Sequence, residues 1–272
     1  MTFKDYFKKA EKEGWAIGQF NVSNLEAIKA VLETAQRLKS PVIIGTSEGE
    51  SRFLGLKQVA AVIKAWQEEN SLPFILNLDH GKSFGYIKEA VEAGYQAVHF
   101  DGSSLPLKEN IKETRRIFNY ARKKNVLVEG EVGEIGGELT NAKEAQKFVK
   151  ETGVDILAIN VGTIHGIKGK GGNLRVNLQR LREVKEMTGD IPLVLHGGSG
   201  TNQEDIKEAI KLGVAKININ TELRIAFTSA LRKSLGEKPE EVVPYKYLPE
   251  AVSAVGKIVE LKIKLFGSQN RG

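Results

Sequence analysis

The chain has no cysteine and few histidines, methionines and tryptophans. Its 272 residues include 4 histidines, 2 methionines and 2 tryptophans. Without cysteine, disulfides and thiolate metal sites are excluded, so a bound metal must be held by histidine, carboxylate or water. No apolar run approaches the roughly 18 residues of a membrane-spanning helix, and residues 1–9 lack the apolar core of a signal peptide. We therefore expect a cytoplasmic protein that does not act on a membrane.

The charge balance is moderately basic, with a net charge of +6. The lysines and arginines are spread along predicted helix faces and mixed with glutamate, and no basic run alternates with aromatic residues as a nucleic-acid surface would require. Nucleic acid is therefore not an expected partner. A basic chain of this kind suits small anions such as sugar phosphates better.

Strand-like and helix-like segments alternate along the whole chain. Each strand-like run is short and apolar, and the segments between them have apolar residues at helical spacing. The predicted strands are 15–22, 41–46, 74–79, 96–100, 126–132, 156–161, 192–195 and 216–219. Eight such units predict an α/β fold, a (β/α)8 TIM barrel in a single domain, 1–272, with 244–266 as a C-terminal helical extension. An open, doubly wound sheet is the structural alternative.

Three of the four histidines share one local setting. His80, His165 and His196 each follow an apolar run and precede a glycine. In parallel α/β folds the C-terminal ends of the strands bear the chemistry, so these imidazoles are expected at one rim. Three histidines brought together there predict a metal site with an open coordination position. His99 lies within the fourth predicted strand and is interpreted as a core residue or as one that orients a ligand.

Carboxylates also occur at strand ends. Asp79 precedes His80 and is either a proton donor and acceptor beside a metal-bound substrate or a group that orients a metal ligand. Asp101 follows the fourth strand, and Glu129 and Glu131 alternate on the fifth, so both point to the same face. They indicate a polar or metal-adjacent role; ion pairs with strand lysines such as Lys216 are the alternative.

Glycine-rich turns follow the last two predicted strands. The turn His-Gly-Gly-Ser-Gly occupies 196–200, and Asn-Ile-Asn-Thr at 218–221 leads into a helix. Backbone N–H groups at a helix N-terminus bind phosphate, and barrels often build this site after strands seven and eight. The two turns therefore predict a phosphate site.

With these motifs the chain resembles the class II, metal-dependent fructose-bisphosphate aldolases and the related tagatose-bisphosphate aldolases. The resemblance runs in order along nearly the whole chain. It rests on the segments 19–26, 41–48, 78–81, 101–103, 129–133, 152–155, 162–166, 195–200 and 216–224.

The resemblance implies an aldehyde-lyase of carbohydrate metabolism that cleaves fructose 1,6-bisphosphate, or its tagatose isomer, through a metal-stabilised enediolate. It implies one Zn²⁺ per subunit held by His80, His165 and His196, an alternative or neighbouring metal position at Asp101 and Glu131, and a monovalent cation, Na⁺ or K⁺. It implies that Asp79 exchanges the proton of the C4 hydroxyl, and that the protein is a homodimer or homotetramer. The substrate site it implies consists of Asn21, Ser47, Gly166, Gly197, Gly198, Ser199, Asn218, Ile219, Asn220 and Thr221.

The chain departs from the family after the fifth predicted strand. Relatives have a mobile loop there that begins Gly-Gly-x-Glu, and its glutamate is linked to proton transfer at dihydroxyacetone phosphate. Here Leu139 occupies that glutamate position, and the loop is shorter by about a dozen residues. Glu138 could replace the glutamate only if the turn points it inward.

Two other functions remain open at this stage. A binding or regulatory protein could keep the sugar-phosphate pocket and lose catalysis together with the loop. A sugar-phosphate epimerase would also be a metal barrel, but its site would be expected to pair histidine with carboxylate ligands and two opposed acids.

Overall fold

A closed barrel of eight parallel strands forms the centre of the protein. The computed structural model describes residues 2–164, 166–167 and 174–272. Each strand pairs with the next, and β1 pairs with β8, which closes the sheet and excludes the open alternative. The strands are β1 (Ile17–Asn21), β2 (Val42–Ser47), β3 (Phe74–Gly81), β4 (Ala97–Phe100), β5 (Leu127–Val132), β6 (Ile156–Ile159), β7 (Leu193–Leu195) and β8 (Val214–Ile219).

Helices surround the barrel and cover its outer face. Those of the βα units and the N-terminus are α1 (Phe3–Glu13), α2 (Leu25–Arg37), α3 (Glu48–Leu54), α4 (Leu56–Glu69), α5 (Phe84–Ala93), α6 (Leu107–Ala121), α7 (Ala142–Thr152), α8 (Leu178–Thr188), α9 (Gln203–Lys211) and α10 (Thr221–Glu237). A 3-10 turn, Arg122–Lys124, extends α6. The C-terminal segment folds as α11 (Pro244–Tyr247) and α12 (Pro249–Phe266), and α12 packs against α2 and α10. No helix of the described segments has the length and apolar character that crossing a bilayer would need.

The inside of the barrel changes from apolar to polar along its axis. At the N-terminal ends of the strands, side chains such as Ile43 and Ile75 pack against Phe7 of α1 and Trp15. Because side chains on a strand alternate in direction, the same inward rows continue towards the C-terminal ends. There they become polar: Ile75 is followed by Asn77 and Asp79 on one strand. The apolar layer closes one end of the barrel, and the polar layer forms the candidate site at the other.

Candidate active site

Two predicted metal ligands lie side by side at the C-terminal end of the barrel. Nε2 of His80 is 3.1 Å from Nδ1 of His196. Ligand atoms of Asp79, His80, His99 and His196 all lie within 4.8 Å of one another. Imidazole and carboxylate groups gathered in this way fit a zinc ion. His165, the third predicted ligand, lies outside the described residues.

An irregularity in β3 turns both Asp79 and His80 towards the same cavity. The register with β4 shifts between Leu78 and Gly81, and His80 has a φ of 51°. Neighbouring residues of a regular strand would point to opposite faces. The left-handed backbone at His80 removes this alternation, and His99 supports it, because Nδ1 of His99 accepts a hydrogen bond from the His80 backbone N–H at 3.1 Å. His99 therefore orients His80, which is one of the two roles that the sequence predicted for it.

A buried carboxylate orients His196 from behind. Nε2 of His196 donates to Oε1 of Glu129 at 2.7 Å, and Nζ of Lys216 pairs with the other oxygen of that carboxylate. Burial raises the pKa of Glu129, but Lys216 and His99 more than offset it and hold the pKa below its usual value. Burial also lowers the pKa of His196 and keeps the ring neutral. With its proton on Nε2, the ring turns the lone pair of Nδ1 towards His80.

The outcome for Lys216 differs from the sequence-based expectation. The predicted strand began at Lys216, but β8 begins at Val214, and the Lys216 side chain reaches the carboxylate behind His196. The ion pair considered as an alternative for the strand glutamates is therefore present at Glu129. At 1% exposure, and paired, this lysine is not an available amine nucleophile.

A second group of possible metal ligands consists of His80, Asp101 and Glu131. Nδ1 of His80 donates to Oδ2 of Asp101 at 2.9 Å, and Lys82 binds the same oxygen. Oε2 of Glu131 lies 3.1 Å from Nε2 of His99 but has no well-directed hydrogen bond among the described residues. Two buried carboxylates beside an imidazole nitrogen fit a cation at this neighbouring position.

Asp79 is held in place as a charged group. Its Oδ2 accepts a hydrogen bond from Asn21 Nδ2 at 2.9 Å, and its Oδ1 accepts one from Asn218 Nδ2 at 3.1 Å. Burial raises the pKa of Asp79, but the adjacent charge of His80 and the contact with His99 outweigh it and hold the pKa well below the usual value. The carboxylate is therefore ionised at neutral pH and can accept a proton.

The pKa of His80 is shifted upward, in the opposite direction to that of Asp79. Burial lowers its pKa, whereas Asp79 and Asp101 raise it, and the net pKa is higher than usual. Metal ions compete with protons for imidazole nitrogens. The same carboxylates that favour a proton on His80 would therefore favour a cation there.

Most of the predicted substrate residues line one cavity together with Asp79, His80 and His196. Those on its wall are Asn21, Ser47, Gly166, Gly197, Ser199, Asn218, Asn220 and Thr221. Gly198 and Ile219 lie behind this wall: the Gly198 N–H donates to the Asn218 carbonyl, and Ile219 is fully buried. Gly197 has a φ of 69°, and a Cβ there would meet the Ile164 carbonyl oxygen at 2.4 Å, so only glycine fits this turn.

The turn after β5 is short and fixed. Asn160 is fully buried, and its Nδ2 donates to the carbonyl oxygens of Glu134, Gly137 and Glu138 at 2.7, 3.1 and 3.0 Å. The Glu138 side chain is exposed and lies outside the group of residues that lines the cavity. The inward orientation that Glu138 needs for proton transfer is not the one observed here.

One site residue was not singled out from the sequence. Glu50 lies in α3, is 7% exposed, and contacts both Asn21 and Asn220. The spacing of Ser47 and Glu50 is that of a capping box, the one sequence signal available, and it explains only the hydrogen bonds at the helix N-terminus.

Comparison with known proteins gives a consistent result over the full chain. The family model described as "Fructose-bisphosphate aldolase class-II" matches residues 1–271. The "Probable fructose-bisphosphate aldolase" of Bacillus subtilis (strain 168) is 39% identical over 284 residues, covering 100% of this chain and 99% of that protein. The "6-phospho-5-dehydro-2-deoxy-D-gluconate aldolase" of Bacillus licheniformis is 39% identical over 283 residues, covering 100% and 96%.

A solved aldolase structure has the same fold as this chain. The YdjI aldolase of Escherichia coli K12 superposes with a TM-score of 0.88 at 31% identity, covering 99% of this chain and 98% of that one. The alignment with the Bacillus subtilis protein spans 284 residues against the 272 of this chain. The alignment is therefore 12 positions longer than this chain.

Proposed function

This chain belongs to the class II fructose-bisphosphate aldolase family, and we propose that it is a zinc-dependent lyase that reversibly cleaves fructose 1,6-bisphosphate to dihydroxyacetone phosphate and glyceraldehyde 3-phosphate. The family is metal-dependent and acts on sugar phosphates. The observation that supports this activity best is the position of Asp79, whose ionised carboxylate lies 4.0 Å from Nε2 of His80 and lines the same cavity.

His80 and His196, with His165, would hold the zinc ion. When bound, zinc would act as a Lewis acid on the ketone oxygen of the substrate. Asp79 takes the proton of the C4 hydroxyl as the C3–C4 bond breaks and returns it in the condensation direction. Asn21 and Asn218 hold both oxygens of Asp79, so the carboxylate needs little reorganisation during the reaction.

The phosphate of the dihydroxyacetone half would bind at the turns after β7 and β8. Gly197, Ser199 and Thr221 line the cavity there, and α10 begins at Thr221. Backbone N–H groups at the N-terminus of this helix and in the glycine turn suit a phosphate. The monovalent cation, Na⁺ or K⁺, belongs beside this phosphate. A homodimer or homotetramer in the cytoplasm completes the proposal.

Metal removal tests the proposed activity. Exhaustive chelation should abolish cleavage, measured as triose formation, and zinc or cobalt should restore it. Cleavage that survives chelation, with metal content verified by elemental analysis, would remove the metal from the mechanism. Trioses also separate this function from epimerisation, which would give none.

Two other candidate substrates need the same assay. The resemblance does not distinguish fructose from tagatose bisphosphate. The Bacillus licheniformis relative, named for 6-phospho-5-dehydro-2-deoxy-D-gluconate, is as similar to this chain as the fructose-bisphosphate relative. We expect the highest kcat/KM with fructose 1,6-bisphosphate, and a higher value with either alternative would reassign the substrate.

The exposed position of Glu138 favours one second candidate, a sugar-phosphate-binding protein without turnover. Such a protein would bind dihydroxyacetone phosphate but would not exchange its C3 proton with solvent. Exchange measured by NMR in D₂O therefore separates the two functions.

A further inference from the structure

The carboxylate of Glu50 connects two walls of the candidate site. It lies in the first turn of α3, after β2, and reaches across to residues that follow β8. Its Oε1 accepts hydrogen bonds from Arg224 Nη2 at 2.5 Å and Asn220 Nδ2 at 3.2 Å. Its Oε2 accepts from the Ser47 backbone N–H at 2.8 Å and from Asn21 Nδ2 at 3.2 Å.

These contacts exceed what helix capping requires. A capping box needs only the bond to the N-cap backbone N–H, here that of Ser47. The remaining three partners come from elsewhere in the barrel, and two of them, Asn21 and Asn220, line the cavity. A carboxylate that is 7% exposed needs compensation for its lost hydration, and the guanidinium of Arg224 supplies it.

Asn21 links Glu50 to the proposed acid/base. Its Nδ2 group has two hydrogen atoms, and it donates to Glu50 Oε2 and to Asp79 Oδ2, the latter at 2.9 Å. Its Oδ1 accepts from Gln19 Nε2 at 3.0 Å, which fixes the orientation of the amide. Any change in the acceptor at Glu50 therefore changes the group that aims Asp79.

Asn220 is fixed by the same carboxylate. Because its Nδ2 donates to Glu50, the opposite atom, Oδ1, is buried and has no hydrogen-bond partner among the described residues. A buried acceptor beside the cavity suits a hydroxyl of the substrate. Glu50 determines which end of this amide is presented.

We propose that Glu50 is a positioning residue of the proposed aldolase site: through Asn21 it holds Asp79 in the orientation for proton transfer, and through Asn220 it orients an acceptor for substrate. This inference rests on the proposed function. Glu50 acts through these two amides and does not itself contact the reacting atoms.

Glu50→Gln is a sharp test because it preserves shape. All four partners of Glu50 are donors, whereas the glutamine amide presents one oxygen and one NH₂ group. The NH₂ group of the glutamine must then face the pair of donors that had bound one of the two carboxylate oxygens. We expect kcat to fall about tenfold or more with a smaller change in KM, since small displacements of a reacting group have large costs.

A double-variant cycle distinguishes positioning from general weakening of the fold. In an Asn21→Ala background, Glu50→Gln should lower kcat further by less than about twofold, because the route from Glu50 to Asp79 through Asn21 is already lost. The remaining route through Asn220 concerns substrate binding and should appear in KM. Asp5→Asn is the control. It breaks the equivalent capping box of α1, at the closed end of the barrel, and should leave kcat unchanged.

A crystal structure of Glu50→Gln gives a readout that does not depend on turnover. The hydrogen bond from Asn21 Nδ2 to Asp79 Oδ2 should be lost, and the wild-type crystal structure should retain it. If the wild type cleaves no sugar phosphate, the proposed function fails while this comparison still decides the role of Glu50. Retention of the bond, an unchanged kcat in an active enzyme, or a fully multiplicative effect with Asn21→Ala would each overturn the proposal.

Discussion

Nε2 of His196 lies 2.7 Å from a carboxylate oxygen of Glu129, and the other oxygen of that carboxylate is paired with Lys216. All three side chains are almost fully buried. The carboxylate of Glu129 therefore fixes the orientation and the proton position of His196. Its negative charge also balances the buried positive charge of Lys216. A change at Glu129 is expected to affect metal affinity and stability together.

Glu129→Gln should weaken zinc binding and destabilise the protein. Loss of an oriented carboxylate behind a metal-binding histidine typically costs about 10- to 100-fold in metal affinity. The unpaired charge of Lys216 should cost about 3–5 kcal/mol in the free energy of unfolding. Zinc affinity can be measured by competition with a chelator, and stability by denaturant unfolding of the metal-free protein.

The double variant Glu129→Gln with Lys216→Met separates the two effects. It removes the unpaired charge, so most of the stability should return while zinc affinity stays low. If stability remained as low as in the single variant, the charge-pair explanation would be wrong.

Asp79→Ala should lower turnover without preventing zinc binding. General acid–base groups contribute about 10²- to 10⁴-fold to rate, and we expect a loss in that range in kcat for cleavage. The histidines remain, so zinc content by elemental analysis should stay near that of the wild type. Turnover at the wild-type rate would remove the acid/base assignment from Asp79.

Asn160→Ala should loosen the turn after β5. Three carbonyl oxygens would lose the buried donor they share, and an unsatisfied buried group costs about 1–3 kcal/mol. Denaturant unfolding measures this loss. Protection of the amide hydrogens of residues 134–140 against exchange should fall in the same variant.

Glu138→Ala is the companion variant for catalysis. Its side chain is exposed, so stability should change little. The sequence-based prediction that Glu138 transfers a proton requires slower exchange of the C3 proton of dihydroxyacetone phosphate in this variant. An unchanged exchange rate would leave the proton to another group.

Asp205 gives a pH-dependent contribution to stability. It accepts from Arg175 Nε at 2.7 Å and from the Val176 backbone N–H at 2.9 Å, and both contacts lower the pKa of its carboxyl group. A lowered pKa in the folded state stabilises the protein above the ordinary value of 3.8 and ceases to do so as pH falls through the folded-state pKa. Asp205→Asn should lower the Tm at pH 7, and the difference from wild type should narrow below pH 3.8. A difference that stays constant with pH would contradict this.

The sequence predicted the barrel well because strand ends, glycines and helical periodicity are local signals. Each of the eight predicted strands overlaps an observed strand, and the shared inward face of Glu129 and Glu131 follows from strand alternation alone. α2 (Leu25–Arg37) follows from equally local signals, because Asn24 caps its N-terminus and its apolar residues lie on one side.

The parts that escaped prediction depend on contacts between distant segments. The backbone of His80 adopts φ 51° because β3 and β4 shift register, which no periodicity reveals. Glu50 reads as an ordinary capping residue until β8 brings Asn220 and Arg224 beside it. Lys216 reaches Glu129 because its long side chain extends through the barrel interior from the middle of β8, a contact that spans two distant strands.

The apolar layer that α1 completes also determines how substrate and products enter and leave the barrel. Among the described residues, Phe7, Trp15 and their neighbours fill the end of the barrel opposite the cavity. Among the residues that the structure describes there is no second opening at that end, so a sugar that enters at the polar mouth and both of its fragments must use the same opening. A fragment that is still bound in the cavity would then block entry of the next substrate molecule.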